Sequence, residues 1–199
     1  MASDDRPLGE KVHDPRVLRA LAHPARNRIL TELSASGPLR AADIARELDI
    51  PANQASFHLR QLAKYGLVEE APDEARDKRD RVWRLTSERG FTVDFSEIEG
   101  APGGKAAVSV FRRTAMAWAQ VVVERAYSPR READIFRSVT DQPLKLTKHE
   151  AKQLALELDE VLERWSAKTR GRDAARRTYL LFQILQPYPE DAQAPEPRD

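Results

Sequence analysis

The stretch RAADIARELDIPANQASFHLRQLAKYG, residues 40–66, restricts this chain to few folds because it holds two short amphipathic runs split by an abrupt break. Ala42, Ile44, Ala45 and Leu48 recur at helical spacing in the first run, and Ala55, Leu59 and Leu62 in the second. Asp49 and Pro51 interrupt them, since the residue before a proline is driven away from the α region and Asp favours turns. Gly66 closes the second run. Directly after it, LVEEA and RVWRLT have strand composition and are joined by the charged stretch PDEARDKRD, which reads as a hairpin. Two helices joined by a turn of three or four residues, followed at once by a hairpin, make a winged helix-turn-helix.

The flanking sequence supplies the rest of the layout. PRVLRALA at 15–22 and the run ending at Gly37, with Ile29, Leu30 and Leu33, predict two helices ahead of the pair. SEIEGAPGGK at 96–105 gathers Gly and Pro where periodicity stops and reads as a linker. Beyond it, Val108, Phe111, Ala115, Trp118 and Val122 recur at spacings of three and four on a long helix over about 105–127. Ser128 before Pro129 predicts a short helix through Phe136. Thr147 and Glu150 form a T-x-x-E capping box ahead of Leu154, Leu158, Val161, Leu162 and Trp165. TYLLFQILQP, covering 178–187, fits a buried strand or a short buried helix, and its branched and aromatic residues favour the strand. The expected division is a disordered start at 1–13, a winged helix-turn-helix at 14–95, a linker at 96–105, a helical domain at 106–187 and a disordered tail at 188–199. The fold class is therefore mainly α with a small β-hairpin wing.

Several function classes drop out on composition. The chain has no cysteine, which removes disulfides, thiolate metal sites and a cysteine nucleophile. His13, His23, His58 and His149 are scattered without metal-ligand spacing, so no metal or cofactor is expected. No glycine-rich phosphate loop or nucleophile elbow is present, which argues against an enzyme. No apolar run approaches the ~18 residues of a membrane span and the start lacks an apolar leader, which makes the cytoplasm the expected compartment. With 33 basic and 32 acidic residues the formal charge is +1, so any nucleic-acid footprint must be local.

Such a footprint is available on residues 52–65. Packing Ala55, Leu59, Leu62 and Ala63 inward leaves Asn53, Gln54, Ser56, Phe57, Arg60, Gln61 and Lys64 outward or lateral. Asn and Gln can bond an adenine edge, Arg a guanine edge, and an aromatic ring can touch a thymine methyl. On periodicity alone, a solvated amphipathic surface helix is an equal alternative. His58 falls between the buried and polar faces, where it can support packing, bond a phosphate or do both.

LAHPARNRILTEL, AADIARELDIPANQASFHLRQLAKYGLVEE and RVWRLT together resemble the ArsR-type family of bacterial winged helix-turn-helix transcriptional regulators, over about residues 15–88. The most specific part is Ser56, His58, Leu59, Leu62, Gly66, Leu67 and Val68, which follow the family's S-x-H-L-x-x-L-x-x-x-G-L-V pattern. The resemblance implies that Asn53, Gln54, Ser56, Phe57 and Arg60 face the groove of double-stranded DNA. It also implies that Lys64 approaches a phosphate and that Arg76, Lys78, Arg79 and Arg81 act from the wing, while His58 keeps the open reading that its place on the helix gives it. A solvated, self-neutralising turn is the other reading of that wing, because Asp73, Glu74, Asp77 and Asp80 alternate with the bases.

The chain departs from the family in two respects. The cysteines by which many members sense metals are absent, and the long helix at 105–127 has no histidine and only Glu124 as an acid, so metal sensing is not implied. About half of the chain lies beyond the resemblance. Val108, Phe111, Ala115, Trp118 and Val122 form a wide apolar face that reads as a homodimer interface, or else as the core of a C-terminal helical domain. Trp118, Trp165, Tyr127, Tyr179, Phe136 and Phe182 offer surface for a small-molecule effector pocket, or for plain core. The leading expectation is a dimeric repressor reading a palindromic operator through helix 52–65 and wing 72–81. The alternative is a winged-helix protein-interaction module without specific DNA binding.

Overall fold

The computed structural model describes residues 9–75, 80–87, 89–130, 132–171, 173 and 175–189. In chain order the elements are β1 (Glu10–Val12), α1 (Pro15–Leu21), α2 (Pro24–Ser36), β2 (Leu39–Arg40), α3 (Ala41–Leu48), α4 (Ala52–Lys64), β3 (Val68–Glu70), β4 (Val82–Leu85), β5 (Phe91–Val93), α5 (Phe95–Gly100), α6 (Gly104–Ala126) and α7 (Lys148–Thr169). The fold is mainly α, with a small antiparallel sheet as its wing. In that sheet β4 is central, Trp83 standing opposite Leu39 on β2 and Glu70 on β3.

Local chemistry sets the boundaries. Asp14 caps α1 by accepting from the Arg16 N–H at 2.7 Å, with Pro15 at the first helical position. Asp49 ends α3 in the left-handed region, φ 51°, where Asp carries less strain than most residues. Gly66 follows α4 at φ 70°, a conformation that glycine adopts without cost, and turns the chain into β3.

Two apolar clusters lie within the first 111 residues. Ile29, Leu33, Ile44, Leu59, Leu62, Leu67 and Val68 anchor the larger, which joins α2, α3, α4 and the wing sheet over Trp83. Val12, Leu18, Ile98, Ala107 and Val108 form the smaller, between α1, α5 and α6. Each fully buried Leu or Ile contributes about 1.5–3 kcal/mol relative to exposure. The C-terminal half has no comparable cluster among the described residues, and α7 buries none.

Four expectations are corrected. Residues 9–13 are ordered rather than part of a disordered start: β1 pairs parallel with β5, Val12 opposite Val93, and Val12 is buried. Residues 1–8 and 190–199 lie outside the described residues. The 96–105 segment is not a linker but most of α5 and a tight junction into α6, because Ile98 is 0% exposed and ties it to the smaller cluster. No helix forms among the described residues of 129–136, where Ser128 Oγ accepts from the Arg130 N–H at 3.3 Å and a single turn closes from Ile135 to Glu132. Phe136 remains exposed there, and so short a helix without a packed face is unstable in water. Finally, 178–187 belongs to neither sheet; Leu180, Leu181, Phe182 and Ile184 are exposed on irregular chain.

The expected dimer face divides. Val108 is 1% exposed and Phe111 packs on Phe95 with ring centroids 5.7 Å apart, so both serve their own chain's core. Ala115 and Trp118 are exposed and Val122 is half-exposed. The six aromatics considered for a pocket are all exposed, and they do not converge on a buried core. One open cleft of about 400 Å³ is bordered by Tyr127, Pro129, Glu132, Ile135, Arg137 and Val139.

Candidate nucleic-acid interface

α3 and α4 are joined by Asp49, Ile50 and Pro51, and the Ile50 N–H donates to the Ala45 carbonyl at 3.0 Å, which folds the turn back on α3. Ala55, Leu59 and Leu62 are each 0% exposed, so one face of α4 is fixed to α2 and α3. The opposite face is thereby held out to solvent. Asn53, Gln54, Phe57, Arg60 and Lys64 are exposed on it and Ser56 is half-buried beside them. Phe57 is 51% exposed on a helix whose leucines are both buried, a position that leaves its ring open to a ligand.

His58 occupies the shoulder of α4. Its ring lies 4.9 Å from His23 and 5.4 Å, edge-on, from Phe57. His58 Nδ1 and Arg26 Nε are buried atoms with no hydrogen-bond partner among the described residues. Burial, then the neighbouring His23, then Arg26, push the His58 pKa below the usual histidine value. Burial and then Arg26 do the same to His23. Spacing along the chain concealed this pair, because His23 begins α2 and His58 sits mid-way along α4. Among the described residues no group of three or more His, Cys, Asp or Glu could hold a metal ion.

An unexpected ionic cluster fixes α3 to the wing. Asp43 is 1% exposed, and its carboxylate accepts from Arg40 Nε at 2.9 Å and from Arg46 at 3.2 Å. It also accepts from the Arg40 backbone N–H, closing a capping box at the start of α3. Arg40 reaches Asp80 at 3.2 Å, at the foot of β4. These carboxylates push the Arg40 pKa further up. The sequence signal was available: an acid at the third residue of a predicted helix, with Arg at the position before that helix and three residues after the acid.

Acids also meet the bases on the wing. Arg84 donates to Glu69 at 2.8 Å and to Asp73 at 3.0 Å, while Arg81 lies 3.5 Å from Glu70. Of the four wing bases expected to meet DNA, Arg81 is described and exposed; Arg76, Lys78 and Arg79 lie outside the described residues. The arrangement presents neutral amides, one phenyl ring and two cations, Arg60 and Lys64, along one rigid helix. Such a face can hydrogen-bond a polyanion and its attached bases.

Residues 21–71 match a family model described as a helix-turn-helix domain. The matched segment runs from the end of α1 through β3, so it contains α3, α4 and the start of the wing, and it supports a DNA-binding regulator of transcription. No curated protein matches the chain. Similar solved structures include ZitR from Lactococcus lactis in an apo form, 16% identical, covering 72% of this chain and 83% of its own, with a TM-score of 0.30. YusO from Bacillus subtilis is 14% identical, with 75% and 83% covered and a TM-score of 0.33. Wild-type MarR from E. coli is 18% identical, with 74% and 87% covered and a TM-score of 0.34. Superpositions this loose carry nothing further about this chain. No helix among the described residues is long and apolar enough to cross a membrane.

Proposed function

We propose that the chain is a cytoplasmic, homodimeric, sequence-specific DNA-binding repressor of ArsR type, reading a palindromic operator with α4 and tracking the backbone with its wing. The observation that carries this reading is the two-sidedness of α4: Ala55, Leu59 and Leu62 are wholly buried while Asn53, Gln54, Phe57 and Arg60 stand exposed on the opposite side. A helix fixed in that manner fits a major groove, and its side-chain types match base edges. In this reading Lys64 and Arg81 contribute phosphate contacts, and His58 a weaker one from the shoulder. The ArsR-type assignment rests on the motif from Ser56 to Val68. Dimerisation would set two copies of α4 on half-sites one helical turn apart.

Selection from random DNA with the purified protein tests the reading. A palindromic consensus with half-sites spaced about one turn is expected, and Gln54→Ala should relax preference at one position by ~1–3 kcal/mol. Recovery of no preferred sequence at moderate salt refutes it. The ion pairs of Arg84 with Glu69 and Asp73, and of Arg81 with Glu70, favour a second reading, a protein-interaction module whose wing carries little free positive charge. That module would bind its partner with little response between ~50 and 200 mM salt, whereas DNA binding through several phosphates weakens steeply.

A further inference from the structure

Among the described residues, every exposed large apolar side chain except Phe57 lies between Val110 and Tyr188. They concentrate on α6, α7 and the segment 179–185. α6 leaves Val110, Met116, Trp118, Val121 and Val123 bare, and α7 leaves Val161, Leu162 and Trp165. Yet α7 is a well-specified helix: Thr147 Oγ1 accepts from the Glu150 N–H at 3.2 Å, and Glu150 accepts from the Thr147 N–H at 2.7 Å. α7 is thus an amphipathic helix of 22 residues that buries none of its side chains fully in its own chain and leaves an apolar face in need of cover.

Its own α6 does not serve. α7 has no extensive packing with any other element, and its contacts lead elsewhere: Glu163 pairs with Arg89 at 2.6 Å, and beyond its end the Thr178 hydroxyl reaches Glu32 on α2 at 3.3 Å. Resting on the reading above that the chain is a homodimer, we propose that the arm comprising α7 and residues 178–187 docks on α6 of a second copy, each copy receiving the other's arm.

Three features select a second copy as the occupant. Charge is compatible: α6 carries Lys105, Arg112, Arg113 and Arg125 against Glu124 alone, with Arg112 already paired to Glu99, while on α7 Glu157, Asp159 and Glu160 lie between the bases Lys148 and Lys152 on one side and Arg164 and Lys168 on the other, and Glu163 is taken by Arg89. Symmetry closes the arrangement, because each copy offers one bare α6 and one bare α7, and a single two-fold axis covers both pairs. The bare apolar side chains together expose on the order of 1,500 Å², above the ~800 Å² per partner of a standard stable interface. Residues 128–147, which separate the helices, can span up to about 66 Å when extended, enough to cross between subunits.

The cysteine-free chain permits a direct test on the full-length protein. Ala117→Cys on α6 and Val161→Cys on α7 are prepared as separate variants, mixed by unfolding and refolding, and treated at low concentration with a bismaleimide of about 10 Å reach. Covalent dimer is expected from the mixture well above the level from either variant alone. In parallel, Leu162→Glu with Trp165→Glu should raise the dimer dissociation constant at least ~100-fold by sedimentation, with cooperative unfolding of the winged domain unchanged. Three outcomes overturn arm exchange: a dimer that withstands the double substitution, cross-linking confined to α6 with α6, or a chain carrying both cysteines that closes only on itself. A dimer that still selects a palindromic DNA then leaves the DNA reading standing. A wild-type monomer that selects no sequence removes both.

Discussion

Leu59→Ala and Phe57→Ala, two positions apart on α4, should separate folding from recognition. Leu59 is 0% exposed within the larger cluster. Its replacement removes three carbon centres, worth ~0.8 kcal/mol each or about 2.4 kcal/mol together, and the residual cavity raises the cost to ~2.5–4 kcal/mol. Phe57 is 51% exposed and has His58 as its aromatic neighbour, so its truncation should cost under ~1 kcal/mol. Urea unfolding followed by far-ultraviolet circular dichroism gives both values. Fluorescence anisotropy on a selected operator, at a temperature where each variant is over ~95% folded, gives the affinities. Leu59→Ala should bind within about threefold of wild type there, because its loss is of folded population and not of contacts. Phe57→Ala should bind roughly 10- to 30-fold more weakly with an unchanged unfolding midpoint. If Phe57→Ala lowers stability by more than ~1.5 kcal/mol, or Leu59→Ala by less than ~1 kcal/mol, the assignment of faces on α4 is wrong.

The His23–His58 contact predicts a pH dependence. Both folded-state pKa values are held below the ordinary 6.5, so the unfolded chain binds more protons in that window. Stability is then complete above about pH 6.5 and falls as the pH drops through it, and His58→Gln should flatten the slope of unfolding free energy below that pH. At the junction of α5 and α6, a Cβ on Gly104 would collide with the Ile98 carbonyl oxygen. Gly104→Ala should therefore lower the thermal midpoint by several degrees, whereas Gly100→Ala, where a Cβ meets nothing, should not. Lys64→Ala should weaken binding to all sequences alike and reduce the slope of log affinity against log salt by about one, as measured by titration from 50 to 200 mM.

The winged segment was legible because its information is local. Apolar residues at spacings of three and four fixed α3 and α4, Asp49 and Pro51 fixed the turn, and Gly66 fixed the exit into the wing. β1 and β5 escaped because each has three residues and they pair across some eighty positions, where no short-range pattern links EKV with FTV. α5 escaped for a different reason: the Gly and Pro that announce a flexible connector also permit the tight α5–α6 approach, and only burial of Ile98 tells the two apart. In the candidate interface, polarity and periodicity sufficed to name the exposed residues of α4, but not the His23–His58 contact. That contact requires the end of α1 to set the N-terminus of α2 against α4, a tertiary fact.

Periodicity identifies which side chains share a face and leaves open what covers that face. On α4 the cover was inferable, since the neighbouring helices were themselves short, apolar on one side and joined by tight turns that force contact. On α6 the same reasoning assigned Val108 and Phe111 to a partner surface, yet the chain's own α1 and α5 reach them first. Beyond Phe111 α6 runs past its neighbours, and Met116, Trp118, Val121 and Val123 are left exposed. The long irregular connection before α7 removes the constraint that a short turn would impose, so chain topology no longer selects a partner. Apolar area and symmetry must select it instead: a bare α6 and a bare α7, each present once per subunit, cover one another in the proposed exchange of arms between two copies.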